Sequence, residues 1–121
     1  MIINTPVSLG ELVDKISILH IKNNNIKDEN KLKLVREELE ELNKTLNSHI
    51  NREEVEKYLD SLIDINSKLW IIEDDIRDCE RKKRFDQKFI DLARSIYFTN
   101  DKRSVIKLDI NNKVWFKVNR S

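Results

Sequence analysis

Four acidic residues in two separate stretches are the side chains best suited to chemistry in this sequence. Glu11 and Asp14 lie in "SLGELVDK", and Glu73 and Asp74 lie in "LWIIEDDIRD". Carboxylates on facing helices bind hard cations such as Mg²⁺, which can in turn hold a phosphate. One hypothesis is therefore a Mg²⁺-dependent hydrolase of nucleotides or phosphate esters. The paired ExxE and ExxD motifs of all-α nucleoside triphosphate pyrophosphohydrolases, however, are not reproduced at the corresponding places.

The last third of the chain is basic and contains several aromatic residues. Phosphate contacts from Lys and Arg, combined with aromatic stacking on bases, are how proteins hold single-stranded nucleic acids. The overall pI near 7.8 and the helical spacing of most of these aromatic residues argue against that function. The residues concerned are "ERKKRFDQKF" with Arg94, Lys102, Arg103 and Lys107, and the interleaved Phe85, Phe89, Tyr97 and Phe98.

Acidic and basic side chains are unevenly distributed along the chain. Residues 1–80 contain 11 basic and 18 acidic side chains, a net charge of −7, whereas residues 81–121 contain 12 and 4, a net charge of +8. The basic part could bind an anionic partner, or the two parts could attract each other within one chain or across a dimer. Attraction within the protein is favoured because the acidic part already provides the opposite surface.

Other common catalytic and cofactor motifs are absent from the sequence. It has no Gly-rich phosphate loop, CxxC pair, HExxH or GxSxG, and its two histidines are too few for a His-rich metal site. We therefore predict no cofactor and no metal ligand set. His20 and Cys79 each continue an apolar helix stripe, so both are expected in the core.

Composition predicts an all-α protein. One Gly and one Pro provide little material for tight hairpins, while 37% charged residues with long Leu/Ile periodicities are typical of amphipathic helices. The expected architecture is a single domain over residues 1–121, an antiparallel bundle of four to five helices with one long central helix. A lone cysteine, no apolar run near 18 residues and no secretory signal pattern predict a soluble, cytoplasmic protein without membrane insertion.

The helix boundaries follow from capping signals and periodicity. Ser8 and Glu11 match a capping box, so the first helix should span about residues 9–25. The second should span about 28–48. The fourth should begin at 87 behind Asp86, although "FTNDKRS" is polar enough for a turn or a new cap. Beyond it, Ile106, Leu108 and Ile110 fit either a strand or a helix that continues to about 112, and the helix is favoured because no other segment offers a strand partner. Its expected packing residues are Phe89, Ile90, Ala93, Ile96 and Tyr97.

The third predicted helix has the most regular pattern and should span about residues 52–82. At 1.5 Å per residue its length is roughly 45 Å, more than a domain of this size needs, so part of it is expected to pack against a second copy. Glu73 and Arg77 flank its apolar seam and should be partly covered by a neighbouring helix. The seam consists of Tyr58, Leu62, Ile65, Leu69, Ile72, Ile76 and Cys79.

Several stretches resemble a small family of uncharacterised bacterial helical domains of unknown function. They are "VSLGELVDKISILHIK", "LWIIEDDIRDCE", "FDQKFIDLARSIYFTNDKRSVIK" and a later "IN". The resemblance implies one compact helical domain and no activity; the association of family members with cell-surface glycan genes is a contextual hint. The final "NNKVWFKVNRS" lacks the acidic, Ser-Tyr-containing ending of that family. Residues at its motif positions are Glu11, Asp14, Lys15, Trp70, Glu73, Asp74, Arg77, Arg94, Tyr97, Asn100, Asp101, Arg103 and Lys107.

The leading hypothesis is a non-enzymatic interaction or scaffold domain that acts as a homodimer and can take a protein partner. The hydrolase and the nucleic-acid-binding module formed by residues 81–107 are the alternatives. The candidate polar cluster consists of Glu11, Asp14, Lys15, Glu73, Asp74, Arg77, Arg94, Asn100, Asp101 and Arg103.

Overall fold

The computed structural model describes residues 1–114 and contains four long α-helices in that range. A 3₁₀ turn precedes the third helix and a π-helical turn continues the fourth. No strand occurs among the described residues, so the all-α prediction is confirmed. The elements are α1 (Leu9–Asn25), α2 (Glu29–His49), the 3₁₀ turn (Arg52–Glu54), α3 (Glu56–Arg81), α4 (Gln87–Asp109) and the π-helical turn (Ile110–Val114). Most of the final "NNKVWFKVNRS", from residue 115 onwards, lies outside the described residues.

The first two helices begin where local caps place them. The Ser8 hydroxyl accepts a hydrogen bond from the Glu11 backbone N–H at 3.2 Å, and α1 begins at Leu9, directly after Ser8. The Asp28 carboxylate accepts from the backbone N–H groups of Asn30 and Lys31 and begins α2. These side chains satisfy amide groups that the first helical turn leaves without partners. The predicted starts near residues 9 and 28 are therefore confirmed.

The fourth helix also begins at the predicted residue but differs in its details. Asp86 occupies the cap position without a capping hydrogen bond, and its carboxylate lies 3.4 Å from the Arg84 guanidinium instead. Phe85 packs edge-on against Phe89, with ring centroids 5.3 Å apart. The "FTNDKRS" stretch lies inside α4, so the turn considered there does not form. That stretch has no Gly or Pro to stop a helix, and its Arg103 points towards α1.

The helices form an up-down-up-down bundle with α1 at its centre. Short connections join α1 to α2 and α3 to α4, which makes each of these pairs antiparallel. Contacts of Gly10 with Asn111 and of Asp14 with Arg103 show that α1 also runs antiparallel to α4. α1 packs against all three other helices, and α3 packs along α4. Glu11 and Asp14 of the first helix are thus placed against Arg103 and Lys107 of the last helix of the same chain.

The main core lies between α1, the end of α2, the start of α3 and the π-helical turn. On α3 the buried positions are shifted from the predicted seam, because α1 lies against one side of that seam. Three seam residues, Leu62, Leu69 and Cys79, are buried as predicted, whereas Tyr58, Ile65, Ile72 and Ile76 are only half-buried. Leu59 and Asn66, which lie outside the predicted seam, are buried instead. The core cluster contains Leu12, Val13, Ile16, Leu46, Val55, Leu59, Leu62, Ile110 and Val114.

The two residues expected to continue apolar stripes have different environments. Cys79 is buried, as predicted. His20 is exposed, and the prediction that it belongs to the core is wrong. It lies within the α1 stripe but lines a cleft that no neighbouring helix covers. Within residues 1–114, no helix is long and apolar enough to cross a membrane.

Candidate functional site

Asp14 of α1 is the one fully buried carboxylate in the described part of the chain. Its side chain has 0% exposure. A buried charge is stable only with a close partner and satisfied hydrogen-bonding groups. Asp14 has both, because Arg103 of α4 and Asn66 of α3 contact it directly. The carboxylate thus joins three helices at one point.

Arg103 binds Asp14 through two donors. Its Nε donates to Asp14 Oδ1 at 2.9 Å, and its Nη2 donates to Asp14 Oδ2. Asn66 Nδ2 donates to Asp14 Oδ1 at 3.0 Å and to Ser17 Oγ at 2.7 Å, and the Ser17 hydroxyl donates to the Asp14 backbone carbonyl at 2.6 Å. No buried side-chain polar atom of the described residues lacks a hydrogen-bond partner. Each carboxylate oxygen of Asp14 thus already accepts at least one hydrogen bond from within the protein.

The electrostatic balance keeps Asp14 ionised. Burial alone would raise the pKa of Asp14, but hydrogen bonds from Arg103 and Asn66, together with the nearby positive charges, outweigh it and lower that pKa. The hydrogen bonds to Asp14 raise the pKa of Arg103, and burial opposes them; the charges of Asp14, Glu11 and Glu73 add to the rise. Both groups are charged at neutral pH, so the interaction is an ion pair.

The ion pair extends towards the surface at the start of α1. Lys107 Nζ lies 2.7 Å from Glu11 Oε2 and 3.9 Å from Asp14 Oδ2. One turn away, the Gly10 backbone N–H donates to Asn111 Oδ1 at 2.7 Å. A Cβ atom on Gly10 would collide with the Lys107 carbonyl oxygen, so only glycine permits this close approach of the helices. The first turn of α1 is thereby locked onto the end of α4.

The predicted α3 residues do not join this buried network. Glu73, Asp74 and Arg77 lie on the surface, where Arg77 contacts Asp74 at 3.1 Å and Glu73 at 4.0 Å. Half or more of each side chain is exposed, so the expectation that a helix covers Glu73 and Arg77 is not met. Only the charge of Glu73 reaches the network, through its effect on the pKa of Arg103.

The geometry gives no support to a magnesium site. The hydrolase hypothesis needs Glu11, Asp14, Glu73 and Asp74 to converge. Among the described residues, no group of three or more His, Cys, Asp or Glu side chains could hold a metal ion. Asp14 is instead committed to two cationic side chains and an amide.

The remaining candidate residues lie apart from one another. Lys15 is exposed on α1. Asn100 is half-buried on the inner side of α4, whereas Arg94 and Asp101 are exposed on its outer side. The ten predicted cluster residues therefore divide into the Asp14–Arg103 pair with Glu11 at its rim, a surface group of three on α3, two charges on the outer face of α4, and the separate residues Lys15 and Asn100.

Sequence reasoning missed Asn66 and Ser17, which complete the network. Asn66 occupies a position that is apolar in the buried row of α3, and a polar residue in an apolar row signals a buried hydrogen bond. Lys107 was placed among the family motif positions but not in the candidate cluster, although it pairs with Glu11.

A small cleft lies between α1, α2 and the start of α3. Its volume is about 180 Å³, below the usual range of small-molecule sites. The lining residues are Ile16, His20, Leu39, Asn43, Arg52, Glu56, Leu59, Asp60 and Ile63. Its size and mixed lining do not indicate a substrate pocket.

The outer face of α4 is the most unusual surface of the described residues. Five large apolar side chains on this helix are 47–67% exposed, while α2 and α3 each have one such residue and α1 has none. At 100° per residue the five fall within an arc of about 100°, opposite the side that packs on the bundle. We call Ile90, Tyr97, Phe98, Val105 and Leu108 the α4 outer stripe.

The outer stripe corrects the predicted packing of α4. Phe89 and Ile96 are half-buried on the inner side, but Ile90, Ala93 and Tyr97 are exposed. No residue of α4 is fully buried. This helix is apolar on two sides, and the bundle covers one of them.

Comparison with known proteins leaves the geometry as the guide to function. A scan against protein-family models, a search of curated proteins and a search of solved structures give no match to this chain. This result is consistent with the resemblance to an uncharacterised helical family. Residues 1–114 form four α-helices and expose an apolar face of α4 that no other helix in that range covers.

Proposed function

We propose that this protein is a non-enzymatic helical interaction domain that works as a homodimer, with the α4 outer stripe as its contact surface. The observation that carries this proposal is the exposure of five large apolar side chains on one face of one helix. Single exposed apolar residues are common on protein surfaces, whereas a contiguous apolar patch marks an interaction site.

Neither the opposite net charges of the two parts nor the surface of α3 points to a dimer contact. Glu11 and Asp14 of the acidic part already pair with Lys107 and Arg103 of the basic part within one chain. The opposite net charges of the two parts therefore need no second copy. On α3, Ile71 is the single large apolar residue exposed to a comparable degree, so α3 offers little apolar contact surface.

A second copy is favoured as the partner because the outer stripe is close to neutral. The exposed Arg94 and Asp101 lie between its apolar residues and contribute one charge of each sign. A copy of the same face therefore offers the complement of both charges. A symmetric contact of this kind closes after two copies instead of extending into a filament.

Sedimentation equilibrium or light scattering over a range from low to hundreds of micromolar tests this proposal. We expect a reversible monomer–dimer equilibrium that Leu108→Ser weakens about tenfold or more, as expected when each copy loses one apolar side chain from the contact. Leu34→Ser is the matched control, because Leu34 of α2 is similarly exposed, at 65% against 58% for Leu108.

Two outcomes would refute the proposal. One is a protein that stays monomeric at every concentration. The other is a dimer that Leu34→Ser weakens as much as Leu108→Ser, which would place the contact elsewhere. Nucleic-acid binding is checked separately by titration with single-stranded oligonucleotides, and tight binding by the monomer would favour the alternative function of residues 81–107.

A further inference from the structure

Two opposite charges lie among the apolar residues of the outer stripe, at equal distances from its aromatic centre. Arg94 and Asp101 are seven residues apart, which is about two turns of helix, or roughly 10 Å. Within residues 1–114, neither side chain takes part in an ion pair. The Arg94 guanidinium carbon lies 5.9 Å from the centre of the Phe98 ring, so this side chain lies along the stripe.

The spacing of the charges discriminates between the two ways in which two α4 helices can meet. In a parallel pair, each Arg94 would lie beside the other Arg94, and each Asp101 beside the other Asp101. In an antiparallel pair centred between Tyr97 and Phe98, Arg94 of each helix lies opposite Asp101 of the other. Like charges placed opposite each other oppose association, so the charges favour the antiparallel arrangement.

The apolar residues fit the same symmetry axis. With the axis between Tyr97 and Phe98, the aromatic residues of both copies meet at the centre. Ile90 of each copy then faces Val105 of the other, and Leu108 extends each end of the contact. The uninterrupted course of α4 from Gln87 to Asp109 keeps these positions on one straight face.

We propose that two copies of this chain pair antiparallel through their α4 outer stripes, with Arg94 of each copy bound to Asp101 of the other. This inference rests on the proposed homodimer and deepens it, because it names the orientation, the register and the charged residues that determine both. The two ion pairs flank the aromatic centre and select a second copy over other apolar surfaces.

Charge reversal tests the pairing. Arg94→Asp places two acidic residues opposite each other, and Asp101→Arg places two basic residues opposite each other. We expect each single variant to weaken the dimer about tenfold or more at low ionic strength, and the double variant R94D/D101R to recover affinity to within about threefold of the wild type. An equimolar mixture of the two single variants should form a heterodimer.

Lys33→Asp on α2 and Asp75→Arg on α3 are matched controls. Both residues are exposed and lie on other helices, away from the outer stripe. Lys33→Asp replaces a basic residue by an acidic one, as Arg94→Asp does, and Asp75→Arg makes the same change as Asp101→Arg. We expect neither to change the dimerisation constant by more than about twofold, since exposed charges at a distance are screened. Circular dichroism of every variant confirms that its helices are retained.

Cysteine cross-linking tests the orientation. A mixture of Ile90→Cys and Val105→Cys proteins should oxidise to a cross-linked heterodimer, because these positions face each other in the antiparallel pair. Ile90→Cys alone should cross-link poorly, because its two copies lie at opposite ends of the contact. The native Cys79 is buried and does not compete.

Failure of the inference can be distinguished from failure of the proposed function. A wild-type dimer that Leu108→Ser weakens, but whose single charge variants are not rescued by the double variant, overturns the pairing and leaves the homodimer intact. Efficient cross-linking of Ile90→Cys with itself would overturn the antiparallel orientation in the same way. A wild-type monomer would remove the homodimer and the pairing together.

Discussion

Replacing Asp14 by Asn is expected to destabilise the fold by about 3 kcal/mol. The Asp14 side chain is fully buried, whereas about a quarter of the Arg103 side chain is exposed to solvent. Breaking a buried ion pair costs about 3–5 kcal/mol, because the remaining charge is left without compensation. The lower end applies here, since Arg103 can still reach some water and Lys107 keeps Glu11 as its partner.

Thermal unfolding at neutral pH and fixed protein concentration measures this effect. For a chain of this length, 1 kcal/mol corresponds to about 3–5 °C in melting temperature, so Asp14→Asn should lower it by about 10–15 °C. Concentration must be held constant because a dimer is stabilised by mass action. Asp74→Asn is the matched control: its side chain is 59% exposed, and its melting temperature should stay within about 2 °C of the wild type.

The pH dependence provides a second measure of the same interaction. Because the folded-state pKa of Asp14 is lowered, its ionisation stabilises the protein fully above the unfolded-state pKa of about 3.9. That contribution is lost as the pH falls through the folded-state pKa. The difference in unfolding free energy between wild type and Asp14→Asn, from urea titration, should therefore be largest at neutral pH and shrink below about pH 4.

A double-mutant cycle with Arg103→Met gives the result that would refute this reasoning. Arg103→Met should be at least as damaging as Asp14→Asn, because it leaves a fully buried carboxylate without its main partner. The double variant should be more stable than the sum of the two losses predicts. A melting temperature within about 2 °C of the wild type for Asp14→Asn, or strict additivity of the two changes, would show that this ion pair does not stabilise the fold.

Three further substitutions separate packing, hydrogen bonding and surface charge, and each is measured by thermal or urea unfolding. Gly10→Ala should destabilise the fold by about 1–3 kcal/mol, because the new methyl group meets the Lys107 carbonyl oxygen. Replacing Gly by Ala inside a helix usually stabilises it, so a gain in stability here would contradict the close approach of the two helices. Asn66→Ala should cost about 1–3 kcal/mol by removing a donor to the buried Asp14, and an unchanged midpoint would argue against that hydrogen bond. Glu73→Ala should change stability by no more than about 0.5 kcal/mol, since its side chain is half exposed, and a loss above 2 kcal/mol would restore it to a covered network.

The sequence by itself determined the helices. Ser8 and Asp28 accept hydrogen bonds from amide groups two or three residues away, so their effect on helix starts needs no tertiary contact. Apolar periodicity likewise reports on neighbours three and four residues apart, which is why the all-α fold and the start of α4 could be predicted. The delayed start of α3, behind a 3₁₀ turn at Arg52–Glu54, was not visible in that pattern.

Only the tertiary structure decided which polar residues meet and which apolar face is covered. Asp14 lies at the edge of an apolar stripe, and its partner Arg103 is 89 residues away, so their contact depends on the packing of α1 against α4. α4 is apolar on two sides, and its periodicity fits either side facing the bundle. Ile90 and Tyr97 remain exposed because α1 and α3 contact the opposite side. Local pattern describes one helix at a time, whereas burial of a charge or exposure of a face is a property of how helices are arranged together.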